Sequence, residues 1–203
     1  DAAATEALNS LAYVAERREE SGRTVFVLNS TTPFGGRLLQ QRFELDPRRR
    51  ILALELQLPA GAGIELLAGS DFVPEKYPGF GGYYSTVRAV AIVAGEQETL
   101  APQGDEAVTD RALTAGDWAG IRGRFWTLML RGDVPLVAAA SATNEDLPTV
   151  TLRPAEESGG TITFTLYGGP VAQDDLVAAA PELEGMLYAV LWTPLRWLSF
   201  GLQ

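Results

Sequence analysis

Carboxylates are the main candidates for catalytic chemistry in this chain, because its 203 residues include no histidine and no cysteine. Those absences exclude a Ser–His–Asp triad, a thiolate nucleophile and a zinc site built on Cys or His. Three carboxylate pairs are adjacent in sequence: Glu19-Glu20, Glu156-Glu157 and Asp174-Asp175. Neighbouring side chains of a strand point to opposite faces, so adjacency does not build a catalytic dyad. Glycosidase carboxylates lie on separate elements at a distance that one sequence does not show, so such a pair stays open as an alternative. We expect solvated surface charge and assign no catalytic residue, metal site or cofactor.

The overall charge excludes a further class of partner. The formal net charge is −10 at pH 7, and the arginine run Arg48-Arg49-Arg50 follows Pro47 in a predicted turn. An acidic chain without a basic stripe is not expected to bind nucleic acid. A hydrophobic content of 46% and a charged content of 21% are typical of a globular domain with its own core.

An aromatic, glycine-rich stretch over 69–84 is a candidate ligand-binding loop. Apolar ring faces pack on pyranose rings, so its rings are a possible sugar-stacking platform. Gly79-Phe80-Gly81-Gly82 lacks the spacing and the following Lys-Ser/Thr of a phosphate-binding loop. The alternative is that the rings cover one end of the fold. They are Phe72, Tyr77, Phe80, Tyr83 and Tyr84.

The last eighteen residues, 186–203, carry a single charge, Arg196. At roughly 100° per helical residue, five leucines fall within an arc of about 80°. Trp192 and Trp197 are rings of the kind that settle at a lipid–water boundary. Pro194 and Arg196 near the middle favour a segment that lies on a membrane over one that spans it. The alternative is a C-terminal helix docked on the domain's own core. The leucines are Leu187, Leu191, Leu195, Leu198 and Leu202.

The elements that position these residues are mainly β. Residues 1–20 are predicted to be helical or flexible, since Leu8, Leu11 and Val14 have helical spacing. From residue 21 to residue 170, nine or ten short runs separated by turn signals favour one antiparallel β-sandwich. The runs with the clearest strand character are Thr24–Leu28, Arg37–Leu45, Arg50–Leu58, Ser85–Ala94, Ala107–Thr114, Gly123–Leu130, Pro135–Ala142, Pro148–Arg153 and Thr161–Tyr167.

Two local patterns sharpen this expectation. Asp46-Pro47-Arg48-Arg49 between two alternating segments predicts a hairpin turn, and leucines at every second position over 52–58 predict a strongly apolar strand face. Over 171–203 the period becomes helical. Asp174-Asp175 fits the start of a short helix and Pro181 the first turn of another, so short C-terminal helices should follow the sandwich and lead into the amphipathic segment.

Two motifs, in this order, resemble motifs of the periplasmic domain of the YidC membrane protein insertase family. The first is Trp118-Ala119-Gly120-Ile121 followed by Arg124-Phe125-Trp126, with Trp126 standing where the family usually has a phenylalanine. The second, Leu166-Tyr167-Gly168-Gly169-Pro170, is similar to the family's L-Y-x-G-P strand end. A short helix and a Pro-Leu step at Pro194-Leu195 follow, as they do in the family. The resemblance covers residues 116–203.

The resemblance implies a β-supersandwich on the periplasmic face of a Gram-negative inner membrane. The domain would be a non-enzymatic accessory of a protein that inserts and helps fold membrane proteins, alone or with the Sec translocon. Nascent membrane proteins would be partners through that parent protein. The C-terminal segment would contact the membrane surface, with Trp192 and Trp197 as interfacial anchors and Arg196 near headgroups. The family's intramembrane arginine lies in transmembrane helices outside this sequence, so no residue here takes that role.

Two alternatives of other classes remain open. One is a carbohydrate-binding or carbohydrate-processing sandwich that uses the rings of 69–84. The other is a free-standing periplasmic adaptor, in which residues 186–203 pack internally or against a protein partner.

Overall fold

In a computed structural model, the chain is described over residues 2–67, 87–100, 110–142, 148–156 and 159–188. These residues form two antiparallel sheets and three short helices, so the mainly β, sandwich-like fold predicted from the sequence is confirmed. The strands are β1 Tyr13–Glu20, β2 Arg23–Ser30, β3 Gln40–Asp46, β4 Ile51–Leu58, β5 Ile64–Leu67, β6 Arg88–Val93, β7 Glu96–Thr99, β8 Arg111–Leu113, β9 Trp118–Arg122, β10 Trp126–Gly132, β11 Leu136–Ala142, β12 Pro148–Pro154 and β13 Gly160–Pro170. The helices are α1 Ala2–Asn9, α2 Gln173–Ala179 and the single turn α3 Gly185–Tyr188, with a 3₁₀ turn at Pro181–Glu184.

The two sheets differ in width. The large sheet has nine strands in the order β1-β2-β3-β4-β13-β10-β9-β6-β7, and the small sheet has four in the order β5-β12-β11-β8. Leu54, Ile121 and Phe164 of the large sheet pack with Val150 and Leu152 of the small sheet in the main core. Full burial of side chains of this size contributes about 1.5–3 kcal/mol each, so this interface is the principal source of stability.

The predicted β3–β4 hairpin is present. The Asp46 carboxylate accepts hydrogen bonds from the backbone N–H groups of Arg48 (3.1 Å) and Arg49 (3.2 Å), which fixes the turn. Leu54 and Leu56 are buried on the inner face, while Glu55 between them is exposed. The alternating pattern of β4 thus separates the core from solvent as the sequence predicts.

The structure differs from the sequence-based expectation over residues 1–20. The helix ends at Asn9, and Tyr13–Glu20 is a strand that pairs with β2 along its whole length. Its charged residues suit an edge strand, because no strand among the described residues pairs with one side of its backbone and charge discourages pairing with another chain. Arg17 and Arg18 form ion pairs with carboxylates two residues away on this strand, at 2.9 Å and 2.7 Å. Apolar spacing does not reveal such a strand.

The strand ends of the large sheet lie in two rows, one at each end of the strands, and the two rows carry different turns. The Cα pairing of the strands puts Ala12, the β2–β3 loop 31–39 and the β6–β7 turn Ala94-Gly95 along one row of strand ends, here named the terminal edge. The opposite edge, here named the hairpin edge, carries the turns Pro47–Arg50 and Gly123–Phe125. The chain enters β1 and begins α3 beside the terminal edge.

Candidate functional site

The outer face of the large sheet carries a second apolar cluster, covered by the helical cap, which we define as residues 173–188. Five sheet residues and five cap residues form it, and all are buried. Apolar surface on both faces of one sheet requires a second covering layer. The sheet residues are Val90, Ile92, Trp118, Met129 and Tyr167, and the cap residues are Leu176, Ala179, Ala180, Leu183 and Met186.

The two motifs of the YidC resemblance meet beneath this cap. The first forms the β9–β10 hairpin and the second ends β13, which pairs with β10 so that Trp126 faces Pro170 and Met129 faces Tyr167. Trp118 and Tyr167 are both 0% exposed. One buried ring from each motif, Trp118 and Tyr167, thus lies in the cluster that the cap covers, although the motifs are about forty residues apart in sequence.

Trp118 is held by packing more than by hydrogen bonding. Its Nε1 has no hydrogen-bond acceptor within the part of the chain that the structure describes. A buried N–H without an acceptor costs about 1–3 kcal/mol. The Arg131 guanidinium lies 4.8 Å from the ring centroid, where cation–π attraction offsets part of that cost.

Two arginines of the β3–β4 turn fasten the cap to the sheet. Arg49 donates from Nε to the Ala178 carbonyl and from Nη2 to the Ala179 carbonyl, both at 2.8 Å. Arg50 forms an ion pair with Asp175 in the first turn of α2. A cation at the last carbonyls of a helix and an anion in its first turn both favour the helix dipole. The sequence shows these residues only as a basic run in a turn, so their role is found in the structure alone.

The Tyr167 side chain is hydrogen-bonded to the end of its own strand, β13. Its hydroxyl donates to the Pro170 carbonyl at 2.8 Å. Burial, and then the nearby Asp175 carboxylate, raise the pKa of Tyr167 above its usual value, with Arg50 opposing them. The phenol therefore stays protonated as a donor.

The far end of the cap rests on the β6–β7 turn. A Cβ placed on Gly185 would lie 2.0 Å from the Gly95 carbonyl oxygen, so only glycine fits this approach. The Asp117 carboxylate fixes the same region, because it accepts from the Thr114 N–H and hydroxyl, both at 2.7 Å, and from the Ala94 N–H at 3.3 Å. The position of α3 is thus tied to the residue that immediately precedes Trp118.

The first of the predicted membrane-contact residues, Leu187, lies in the cap. Leu187 lies partly buried against the second cluster instead of facing outward, because Leu183 and Met186 bring this turn onto the sheet. This packing is what the docked alternative expects at the start of the segment, and membrane contact by Leu187 stays a prediction. The remaining predicted contacts lie outside the described residues: Leu191, Trp192, Leu195, Arg196, Trp197, Leu198 and Leu202.

Of the other predicted candidates, the aromatic rings lie outside the described residues and some of the carboxylates lie within them. The five rings of the possible stacking loop, Phe72, Tyr77, Phe80, Tyr83 and Tyr84, also lie outside the described residues. Glu19 and Glu20 bond to different partners, Arg17 and Arg42, which agrees with opposite faces of β1. Among the residues that the structure describes, no three carboxylates or other ligating groups cluster to hold a metal ion.

The tip of the β9–β10 hairpin is the most exposed aromatic feature of the described chain. Phe125 is 62% and Trp126 58% exposed, and the Arg124 guanidinium lies 5.0 Å from the Phe125 ring centroid. The tip lies at the hairpin edge beside Pro170, the end of β13, and opposite Ala12 and the β6–β7 turn on which α3 rests. The first motif therefore combines a buried half, Trp118 to Ile121, with an exposed half.

Comparisons with known proteins assign no family. No family model and no curated protein matches the chain. Among solved structures, an α-galactosidase from Lactobacillus brevis is similar with a TM-score of 0.48 and 8% sequence identity over 86% of this chain. The chain spans 27% of the length of that protein.

Helices in the described residues are short. None of them has the length and apolarity needed to cross a membrane.

The Asp117 hydrogen bonds predict a pH-dependent contribution to stability. Burial alone would raise the pKa of Asp117, but hydrogen bonds from Thr114 and Ala94 outweigh it and hold that pKa below its usual value. A lowered pKa stabilises the fold above the unfolded pKa, and this contribution is lost as pH falls through the folded pKa. Asp117→Ala should therefore lower the free energy of unfolding by about 1 kcal/mol at pH 7, the usual loss for a side chain that accepts backbone N–H groups.

Urea denaturation at a series of pH values measures this effect. The difference between the parent and Asp117→Ala should shrink as the pH falls below about 4, near the unfolded pKa of Asp. Glu65→Ala is the control, because Glu65 is an exposed strand residue. A difference that is constant from neutral to acid pH would contradict the role given to the ionised carboxylate.

Proposed function

We propose that this chain is the periplasmic accessory domain of a YidC-like membrane protein insertase, which assists the insertion and folding of inner-membrane proteins. One observation carries the proposal. Trp118 of the first family-like motif and Tyr167 of the second lie buried beneath the helical cap, and the apolar, Trp-containing segment 186–203 begins in that cap. In this proposal the motifs serve to fix where the chain leaves the sandwich for the membrane.

The path of the chain supports the same function. Residues 10–12 lie beside the β2–β3 loop, where the Ala12 carbonyl accepts from the Thr31 N–H at 2.9 Å, and α3 lies beside Gly95. Both places belong to the terminal edge of the large sheet. A domain carried between two membrane segments needs its first and last elements on a common edge, with the rest of the sandwich projecting into the periplasm.

The segment after the cap supplies the membrane contact in this proposal. Trp192 and Trp197 act as interfacial anchors, and Arg196 lies among the headgroups. Buried leucines contribute about 1.5–3 kcal/mol each, which exceeds the contribution of one surface ion pair. Nascent membrane proteins, and the Sec translocon, are partners through the parent protein and not through a catalytic site of this chain.

Vesicle flotation tests the membrane contact. The full chain should float with vesicles of phosphatidylglycerol and phosphatidylethanolamine, and a chain of residues 1–188 should bind at least about tenfold more weakly, because it lacks the two tryptophans and four leucines. Truncation after Tyr188 keeps Leu183 and Met186 in the second cluster, so the cap is retained. Near-ultraviolet circular dichroism of both chains checks that retention. Equal binding of the two chains would contradict the membrane role of the segment.

The open reading frame that encodes the chain tests the family independently of lipid binding. An insertase of this family continues into five further transmembrane segments, so these should follow the codon for Gln203. Sequencing the gene downstream of that codon is the measurement. A stop codon directly after Gln203 would overturn the insertase assignment and leave a free-standing adaptor.

A further inference from the structure

A cleft of about 590 Å³ opens at the terminal edge, between the β2–β3 loop and the adjacent ends of β4 and β13. Its walls include Phe34, Leu39 and Leu58, and Arg37 is the one charged residue among the described residues that line it. A guanidinium binds phosphate or carboxylate oxygens in a fixed fork geometry. A cleft with one guanidinium and an apolar wall therefore suits an anionic group attached to an apolar body.

The backbone around Arg37 is fixed on both sides. Phe34 and Arg37 exchange two backbone hydrogen bonds, at 2.8 Å and 3.1 Å, across the two-residue turn Gly35-Gly36. Leu39 is buried, and its N–H donates to the Ser30 hydroxyl at 2.9 Å. The Arg37 side chain forms no hydrogen bond or ion pair with any residue that the structure describes, so its guanidinium is available to a ligand from a rigid base.

An exposed leucine stands next to this arginine. Leu38 is 62% exposed although both of its neighbours help line the cleft. The loop that carries it is bonded to the segment entering β1, since the Thr31 N–H and hydroxyl both donate to the Ala12 carbonyl. In the proposed function this edge of the sheet faces the bilayer. Leu38 and Arg37 then present an apolar side chain and a cation to the lipid–water boundary.

We propose that this cleft binds the phosphate of an anionic phospholipid headgroup, with Arg37 pairing with the phosphate oxygens and Leu38 entering the apolar boundary. The proposal rests on the proposed function, which sets the terminal edge toward the membrane. A formal net charge of −10 repels an anionic surface. Contact at this edge is therefore favoured by a local cation that no carboxylate of the described residues neutralises, and Arg37 meets that requirement.

Flotation of full-chain variants tests the cleft. Arg37→Gln should bind vesicles of phosphatidylglycerol and phosphatidylethanolamine about fivefold more weakly than the parent, the factor expected for one basic side chain at an anionic surface. Its binding to phosphatidylcholine vesicles should change less, because the choline cation offsets the charge of that lipid's phosphate. Arg124→Gln is the matched control, because it makes the same charge change at an exposed arginine of the hairpin edge, and it should bind as the parent does. Leu38→Asn should weaken binding to both kinds of vesicle.

Several outcomes would overturn the proposal. No loss in Arg37→Gln, or equal losses in Arg37→Gln and Arg124→Gln, would show that the cleft is not the site. Titration with sodium phosphate, followed by the nuclear magnetic resonance signal of the Arg37 side-chain N–H, separates lipid from free anion. Lipid binding predicts no saturable shift, whereas saturation by phosphate alone would assign the site to the free anion.

The same assay keeps the two proposals apart. A chain whose vesicle binding is lost on truncation to residues 1–188 but unchanged in Arg37→Gln refutes the cleft and leaves the membrane role of the C-terminal segment intact. A full chain that does not float refutes both membrane contacts, and the open reading frame still tests the family.

Discussion

The large sheet presents apolar side chains on both faces, and only one of those faces packs on the small sheet. On the other face, Trp118, Met129 and Tyr167 need a covering layer that excludes water. Aromatic side chains such as these bury about 150–250 Å² each. The helical cap provides that cover. Because Trp118 and Tyr167 are 0% exposed beneath it, the cap belongs to the core of the fold. Whatever follows the cap along the chain therefore starts from a fixed place on the sandwich.

Local polar contacts fix the two ends of the cap. At one end, the turn after β3 supplies Arg49 and Arg50 to α2. At the other, Asp117 holds the turn at Ala94, and Gly185 approaches the neighbouring carbonyl so closely that no side chain fits between them. Apolar burial gives the cap its stability, and these contacts give it its position. In the proposed function, that division fixes the point on the sandwich from which the membrane-contact segment begins.

Sequence reasoning recovers the parts of this structure that depend on neighbours along the chain. The β3–β4 hairpin follows from Asp46-Pro47, the face of β4 from its alternating leucines, and the short C-terminal helices from a change of period. Strand β1 is missed, because its pairing with β2 outweighs a helical spacing of three apolar residues. The partial burial of Leu187 against the second cluster is also not evident from the sequence, since an amphipathic pattern does not show which surface covers its apolar side.

The candidate sites are harder to predict because they join residues far apart in sequence. The contact of Arg49 with Ala178, and that of Gly185 with Gly95, depend on the register of strands across the whole large sheet. The cleft at Arg37 likewise combines the β2–β3 loop with residues near 58 and 160. A single sequence shows the glycines, arginines and aromatic residues, but the closeness of any two of them follows only from the topology.

Amide hydrogen exchange of the full chain, followed by nuclear magnetic resonance, tests the central claim that the cap is a fixed part of the core. The N–H groups of Leu176, Ala180 and Leu183 donate to backbone carbonyls within or next to the cap, at 2.9–3.0 Å. We expect these cap amides to be protected nearly as well as the β10 and β13 amides. Protection should be lower in Gly185→Ala but not in Gly160→Ala, where an added Cβ meets no atom within 4 Å. Cap amides that exchange as fast as an unstructured peptide, while the strand amides stay protected, would contradict the central claim.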